Sequence, residues 1–139
     1  MEWTGLCTAW SGLPRWARWV LAAYLAGFAD GTAAHVRALA QGGIHAYSAF
    51  PQVPLQVFFV CLVVLDPLVV LAGFVRRAGI WLAAVVITLD MTANWIGNWP
   101  WLHADPARLA RAGGGLLLIT FFGLFVLLTA RPMLRVMRN

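Results

Sequence analysis

The sequence contains no lysine and very few acidic residues. Ten arginines supply all of the side-chain positive charge apart from histidine, and the acids are Glu2, Asp30, Asp66, Asp90 and Asp105. Charged residues make up 11% of the 139 residues and hydrophobic residues 62%, whereas a soluble domain carries about 25% charged residues. So few charges cannot cover a water-facing surface, and an ordinary soluble domain is therefore excluded.

Other absences narrow the functional class further. The two cysteines, Cys7 and Cys61, match no CxxC or zinc spacing. Cys61 lies within an apolar run, which predicts a small buried apolar side chain. The arginines stand between apolar runs and form no basic patch, so nucleic acid is not expected as a partner. The sequence has no phosphate-binding glycine loop, nucleophile elbow or haem-type histidine pair, and we therefore expect neither a metal nor another cofactor.

Four long apolar segments indicate a membrane protein. A helix that crosses about 30 Å of hydrocarbon needs roughly 20 mostly apolar residues. The segments that satisfy this requirement are residues 16–38, 54–75, 78–98 and 112–130. The sequence therefore predicts a single all-α domain over residues 1–139, an integral membrane bundle of four transmembrane helices.

The distribution of arginine predicts the orientation of these spans, because cytoplasmic flanks are enriched in arginine. The arginines that flank one side are Arg15, Arg18, Arg76, Arg77, Arg131, Arg135 and Arg138, and those on the other side are Arg37, Arg108 and Arg111. We therefore expect both termini to be cytoplasmic. The alanine-rich, lysine-free composition is typical of a GC-rich bacterial genome, so we expect a multi-pass protein of the inner (plasma) membrane. The longest connection, residues 41–54, contains glycines and prolines that predict a loop on the outer face.

Three of the five acids lie within the apolar spans. An Asp costs roughly 2.5 to 3.5 kcal/mol at the centre of an inserted helix. With a rise of about 1.5 Å per residue, Asp30, Asp66 and Asp90 all lie roughly 15 to 20 Å from the inner interface. The three carboxyl groups are therefore expected to share one layer near the midplane.

These acids and the polar residues around them predict one pocket that opens toward the outer face. Asp30, Asp66 and Asp90 are the candidate set of catalytic proton donors and acceptors. The candidate ligand-binding residues are Asn94, His35, Trp95, Trp81, Phe58 and Thr120, with Phe59 as a further aromatic wall. Since no Lys or Arg is available in the interior of the spans as a counter-ion, at least one Asp should keep its proton at neutral pH unless a cation is present.

A structural role for the same residues stays open. Each acid can instead be bonded to a Ser, Thr or Trp on a neighbouring helix. Pro67, which follows Asp66, removes a backbone hydrogen bond to the carbonyl of Val63 and can simply bend the helix. The pair Gly27 and Gly31, on either side of Asp30, has the spacing of close helix packing or of dimerisation.

The outline of the chain resembles the EXPERA group, which includes sterol isomerases and the sigma-2 receptor. The matching features are Asp30 in the first span, the stretch FFVCLVVLDP with Asp66 in the second, and the polar face of Asp90 and Asn94 in the third. The resemblance covers topology across most of the chain and not a motif. It implies four spans with cytoplasmic termini and acids on the early spans.

Three functions fit these features. The first is a pocket that binds a lipophilic or cationic small molecule from the lipid phase and isomerises or cyclises it by acid–base chemistry. The second is a small proton-coupled transporter of a cation or metal, for which a homodimer would enclose more volume. The third is an accessory subunit of a membrane complex, in which the acids meet a partner helix.

Overall fold

A computed structural model describes residues 10–73, 77–107 and 114–137, and this part of the chain is helical apart from the connecting turns. The four helices are α1 (Arg15–Gly42), α2 (Val53–Gly73), α3 (Arg77–Ala104) and α4 (Gly114–Val136). A short 3-10 helix, Gly43–His45, begins the connection from α1 to α2. The all-α prediction is therefore confirmed.

Some residues named in the sequence predictions lie outside the described part of the chain. They are Glu2, Cys7, Arg76, Arg108, Arg111 and Arg138, together with residues 74–75 of the second predicted span and 112–113 of the fourth.

Three of the four helices are long and apolar enough to cross a membrane. The qualifying stretches are Val53–Ala72, Arg77–Ala104 and Gly115–Val136. Helix α1 has the length, at 28 residues, but it is less apolar, and its charged residues are Arg15, Arg18, Asp30 and Arg37. The length and composition of the helices thus support three of the four predicted spans.

The helices form an up-and-down bundle. Helix α1 packs on α2, α2 on α3 and α3 on α4, while the contact between α1 and α4 is shorter. Helix α1 ends at Gly42 because Gly43 adopts a φ of 57°, a left-handed conformation that favours glycine. On α4, Gly123 lies against Ile87 and Met91 of α3, so its missing side chain lets these two helices approach closely.

The two halves of α1 differ in burial. Its buried residues are Ala17, Leu21, Tyr24 and Phe28, at the spacing of three and four residues that marks one helix face. Beyond Phe28 no residue of α1 is buried. The first half of α1 therefore packs into the bundle, and the second half leaves space beside it.

Tyr24 and Phe28 close the bundle between α1 and α4. The Tyr24 hydroxyl donates to the carbonyl of Val126 at 2.7 Å and shares a second hydrogen bond, of 2.8 Å, with the hydroxyl of Thr129. The rings of Phe28 and Phe122 meet edge to face with their centroids 5.5 Å apart. These contacts extend from the middle of the bundle toward the end that holds the start of α1 and the end of α4.

The outward faces of α2 and α4 carry large exposed apolar side chains. They are Val57, Val64, Leu68 and Leu71 on α2, and Leu118, Phe121, Leu124 and Leu128 on α4. Cys61 is exposed as well, so the prediction that it is buried was wrong. Cys61 stands at helical spacing from Val57, Val64 and Leu68 and therefore shares their outward face.

Candidate functional site

A cavity of about 440 Å³ lies beside the second half of α1. Its lining comes from α1, α2, α3, α4 and the connection between α1 and α2. At its rim, Asp30 and Ala34 on α1 and Leu118 on α4 are exposed. The cavity is therefore open to the side between α1 and α4, beyond the point where Tyr24 and Phe28 close them together.

Asp90 presents a fixed carboxyl group to this cavity from α3. Only 7% of the residue is exposed. The side-chain amide of Asn94, one turn later, donates to Asp90 Oδ1 at 2.9 Å and to the Asp90 carbonyl at 3.0 Å. This pairing partly satisfies a buried carboxyl group and fixes its orientation.

Asp66 lies on α2 and packs against Gly31 of α1, outside the cavity lining. It is 3% exposed, and its Oδ2 is 3.9 Å from Nε2 of His35, which is longer than a direct hydrogen bond. A Cβ atom at position 31 would come within 2.7 Å of the same oxygen. Glycine at position 31 therefore leaves room for the Asp66 carboxyl group between α1 and α2.

Tyr47 orients the imidazole ring of His35. The Tyr47 hydroxyl and His35 Nδ1 are 2.6 Å apart. Burial raises the pKa of the Tyr47 hydroxyl, and the negative charges of Asp90 and Asp66 raise it further. The Tyr47 hydroxyl donates to Nδ1 or accepts from it according to the tautomer of His35, and in both cases Nε2 is the ring nitrogen nearer Asp66. Tyr47, His35 and Asp66 thus form a polar row that ends in a buried carboxyl group.

The connection between α1 and α2, residues 43–52 (the cap loop), folds back onto the cavity. The Phe50 ring stacks on Phe59 at 4.9 Å between centroids and contacts Trp101 at 5.6 Å. The Gln56 side-chain amide donates to the Phe50 carbonyl at 2.6 Å. A Cβ atom at Gly97 would come within 2.6 Å of the Phe50 ring, so the ring lies directly on the backbone of α3.

The structure brings some of the sequence-predicted site residues together and leaves others apart. Those that line the cavity are Asp30, His35, Asp90 and Asn94, and Asp66 lies next to His35. The indole N–H of Trp95 donates to Thr120 Oγ1 at 2.9 Å, which links α3 to α4 outside the cavity lining. Trp81 is 60% exposed near the start of α3. On α2, Phe59 lines the cavity, whereas Phe58 does not.

Sequence reasoning missed the cap loop, and on α4 it named Thr120 but none of the α4 residues that line the cavity. Tyr47 and Phe50 belong to a segment that was predicted only as an outer loop. Phe122 of α4 lies where a Cβ atom at Gly27 would overlap its ring. The glycine pair on α1 therefore packs within one chain, with Phe122 against Gly27 and Asp66 against Gly31. The spacing of Gly27 and Gly31 was therefore the sequence feature that indicated a close approach of other side chains to α1.

The cavity is electronegative and has no strong cation of its own. Among the described residues the one ion-pair contact is between His35 and Asp66. In the same part of the chain, no group of three or more His, Cys, Asp or Glu side chains is placed to hold a metal ion. Asp30 and Asp90 therefore face the cavity without a basic partner among the described residues.

Compared with protein-family models, curated proteins and solved structures, the chain matches none.

Proposed function

We propose that this protein is a small membrane-embedded receptor for a lipophilic molecule that carries a positive charge. The observation that carries the proposal is the pair Asp30 and Asp90, two carboxyl groups on a mainly apolar cavity with no Arg or Lys partner in the described chain. A carboxyl group in such surroundings must hold a proton or meet a cation. A ligand ammonium group meets that requirement.

All four helices cross the membrane in this proposal, with both termini in the cytoplasm of a bacterial cell. Three helices qualify by length and composition, and α1 joins them because it packs along α2. The antiparallel order places Arg15 and Arg18, Arg77, and Arg131 and Arg135 at one end of the bundle. An excess of arginine marks the cytoplasmic side.

The size and lining of the cavity support an amphiphilic ligand. Its volume of about 440 Å³ falls within the range of about 300 to 1,000 Å³ that small-molecule sites occupy. Tyr47, Phe50, Phe59 and Phe122 offer aromatic rings that attract a cation within about 6 Å. The open side between α1 and α4 would face the acyl chains, so an apolar tail can extend into the bilayer while the charged group stays inside.

The polar row of Tyr47, His35 and Asp66 favours acid–base chemistry on the bound molecule. Passive binding needs no hydrogen-bonded orientation of His35, yet Tyr47 supplies one. Moving a double bond requires one group that gives a proton to carbon and another that removes a proton from a neighbouring carbon, with no net change in protons. Asp30 and His35 both line the cavity from α1, and Asp30 and the His35–Asp66 pair supply two such groups, so we extend the proposal to isomerisation or cyclisation.

Transport and an accessory role receive less support from the packing. A transporter needs a path to both ends of the bundle, and buried Leu21, Tyr24 and Phe28 fill the space between the cavity and the start of α1. An accessory subunit would turn its acids outward to a partner helix, and although Asp30 is exposed at the rim, Asp66 and Asp90 are only 3% and 7% exposed. A binding site for a small molecule fits both observations.

The test is the binding of a charged probe and its uncharged counterpart to the full chain in lipid nanodiscs. The probes are N,N-dimethyldodecylamine, which is protonated at neutral pH, and 1-dodecanol, and native mass spectrometry counts the bound molecules. Unit charges 4 Å apart interact by about 4 kcal/mol at an effective dielectric of about 20. Because Asp30 is exposed at the rim, we expect Asp30→Asn to weaken amine binding about tenfold, or about 1.4 kcal/mol.

Asp105→Asn is the matched control, since it makes the same chemical change in the connection after α3. It should leave amine binding unchanged, and neither variant should alter binding of the alcohol. Equal affinity of the wild type for amine and alcohol would refute the proposal, as would an equal loss in the Asp105 variant.

A further inference from the structure

A second cavity lies at the start of α1, at the end of the bundle opposite the cap loop. Its volume is about 290 Å³, and it is lined by Trp10, Arg15, Arg18, Trp19 and Ala22. The four α1 residues stand at positions i, i+3, i+4 and i+7, so they share one helix face. Trp10 reaches the same space from the segment before α1. Two guanidinium groups and two indole rings therefore converge on one concave surface.

We propose that this cavity binds the phosphate headgroup of an anionic phospholipid. A guanidinium group presents a planar fork of N–H donors that matches phosphate oxygens. Neither Arg15 nor Arg18 has an ion pair or side-chain hydrogen bond within the described residues, so both are available to a ligand. Indole rings favour the level of the lipid headgroups, and this end of α1 lies at that level in the proposed membrane placement.

The face of α1 beyond the two arginines fits a lipid better than a soluble anion. The small residues Ala22, Ala26, Ala29 and Ala33 follow one another at helical spacing, and the last three are exposed. They leave a shallow track along the helix that starts at the cavity. An acyl chain attached to the bound phosphate can lie along this track, whereas free phosphate would make no use of it.

The test compares lipid binding by variants of the full chain in a neutral detergent. Phosphatidylglycerol or phosphatidylcholine with identical acyl chains is added, and native mass spectrometry measures the bound fraction. The variant is the double substitution R15Q/R18Q, and the matched control is R131Q/R135Q, which removes two exposed arginines from α4 at the same end. We expect R15Q/R18Q to weaken phosphatidylglycerol binding about 25-fold, since each arginine near an anionic lipid contributes about fivefold. The control R131Q/R135Q should change this binding less than about twofold.

Ala22→Phe fills the track without changing any charge, and it should also reduce phosphatidylglycerol binding. An unchanged midpoint of unfolding by sodium dodecyl sulfate shows that each variant is folded, independently of the proposed amine site. Equal losses in R15Q/R18Q and R131Q/R135Q would overturn the proposal in favour of a general surface-charge effect. Displacement of the lipid by inorganic phosphate, combined with no effect of Ala22→Phe, would overturn it in favour of a soluble anion.

Discussion

The two tyrosines of this chain allow a crossed test of the fold and of the site. Tyr24 and Tyr47 are the tyrosines in the sequence, and each hydroxyl bonds to a different element. Tyr24 bonds to α4, whereas Tyr47 bonds to His35 of α1. Substitution by phenylalanine removes one oxygen atom in each case. We expect Tyr24→Phe to lower stability and leave ligand binding unchanged, and Tyr47→Phe to weaken binding and leave stability nearly unchanged.

The geometry sets the size of the stability effect. Tyr24 is 2% exposed, and its two hydrogen bonds measure 2.7 and 2.8 Å. Thr129 keeps a bond of 2.6 Å to the Phe125 carbonyl when the tyrosine hydroxyl is gone, so it does not become an unsatisfied donor. A hydrogen bond between membrane helices contributes about 0.6 kcal/mol on average and about 1.7 at most. Tyr24→Phe should therefore cost about 1 kcal/mol.

The assay is reversible unfolding in mixed micelles by titration with sodium dodecyl sulfate. The variants are Tyr24→Phe, Thr129→Val and the double substitution, and we expect a coupling of about 0.6 kcal/mol between the two sites. In the amine-binding assay, Tyr47→Phe should weaken affinity about threefold, the equivalent of one modest hydrogen bond. The reverse pattern, with Tyr47→Phe destabilising by about 1 kcal/mol and Tyr24→Phe neutral, would refute the closure of α1 on α4.

Two further experiments test the packing of the cap loop and the membrane placement of α2. Gly97→Ala puts a Cβ atom within 2.6 Å of the Phe50 ring, so it should cost about 1 to 3 kcal/mol and speed proteolysis of the cap loop. Gly115→Ala, which meets nothing within 4 Å, is the neutral control, and equal destabilisation by both would contradict the packing. In a Cys7→Ser background, Cys61 should resist a water-soluble maleimide in bilayers and react in dodecyl sulfate, because the attacking thiolate needs water. Equal rates in both would place α2 outside the membrane.

Hydropathy predicted most of the helices, but it could not predict which face of α2 is turned inward. Apolar residues occupy almost every position of this helix, so its pattern has no polar side to orient it. Successive residues point about 100° apart around a helix. For that reason the sequence could not distinguish Phe58 from Phe59, and the structure places Phe59 on the cavity.

The acids were easier to predict because an unsatisfied carboxyl group is costly inside an apolar layer. The burial of Asp66 and Asp90 follows from that cost. The sequence of the cap loop does not show which of its residues line the cavity, since tyrosine and phenylalanine are also common in loops that lie at a membrane interface and line no site. Their positions depend on tertiary contacts, in particular the space at Gly97 and the stacking of Phe50 on Phe59, and no local pattern in the loop encodes those contacts.

Helix α1 is less apolar than the other helices because it both packs on α4 through polar and aromatic contacts and carries Asp30 at the cavity. In the proposed membrane placement, burying Leu21 gains little, because the surrounding tails are as apolar as leucine. The two Tyr24 hydrogen bonds and two edge-to-face ring pairs on α4 contribute about 2 to 4 kcal/mol together. Asp30 costs roughly 2.5 to 3.5 kcal/mol on insertion, so the two effects nearly cancel. A cation that binds Asp30 removes much of that cost, and the ligand is therefore expected to hold α1 in the bundle as well as to occupy the site.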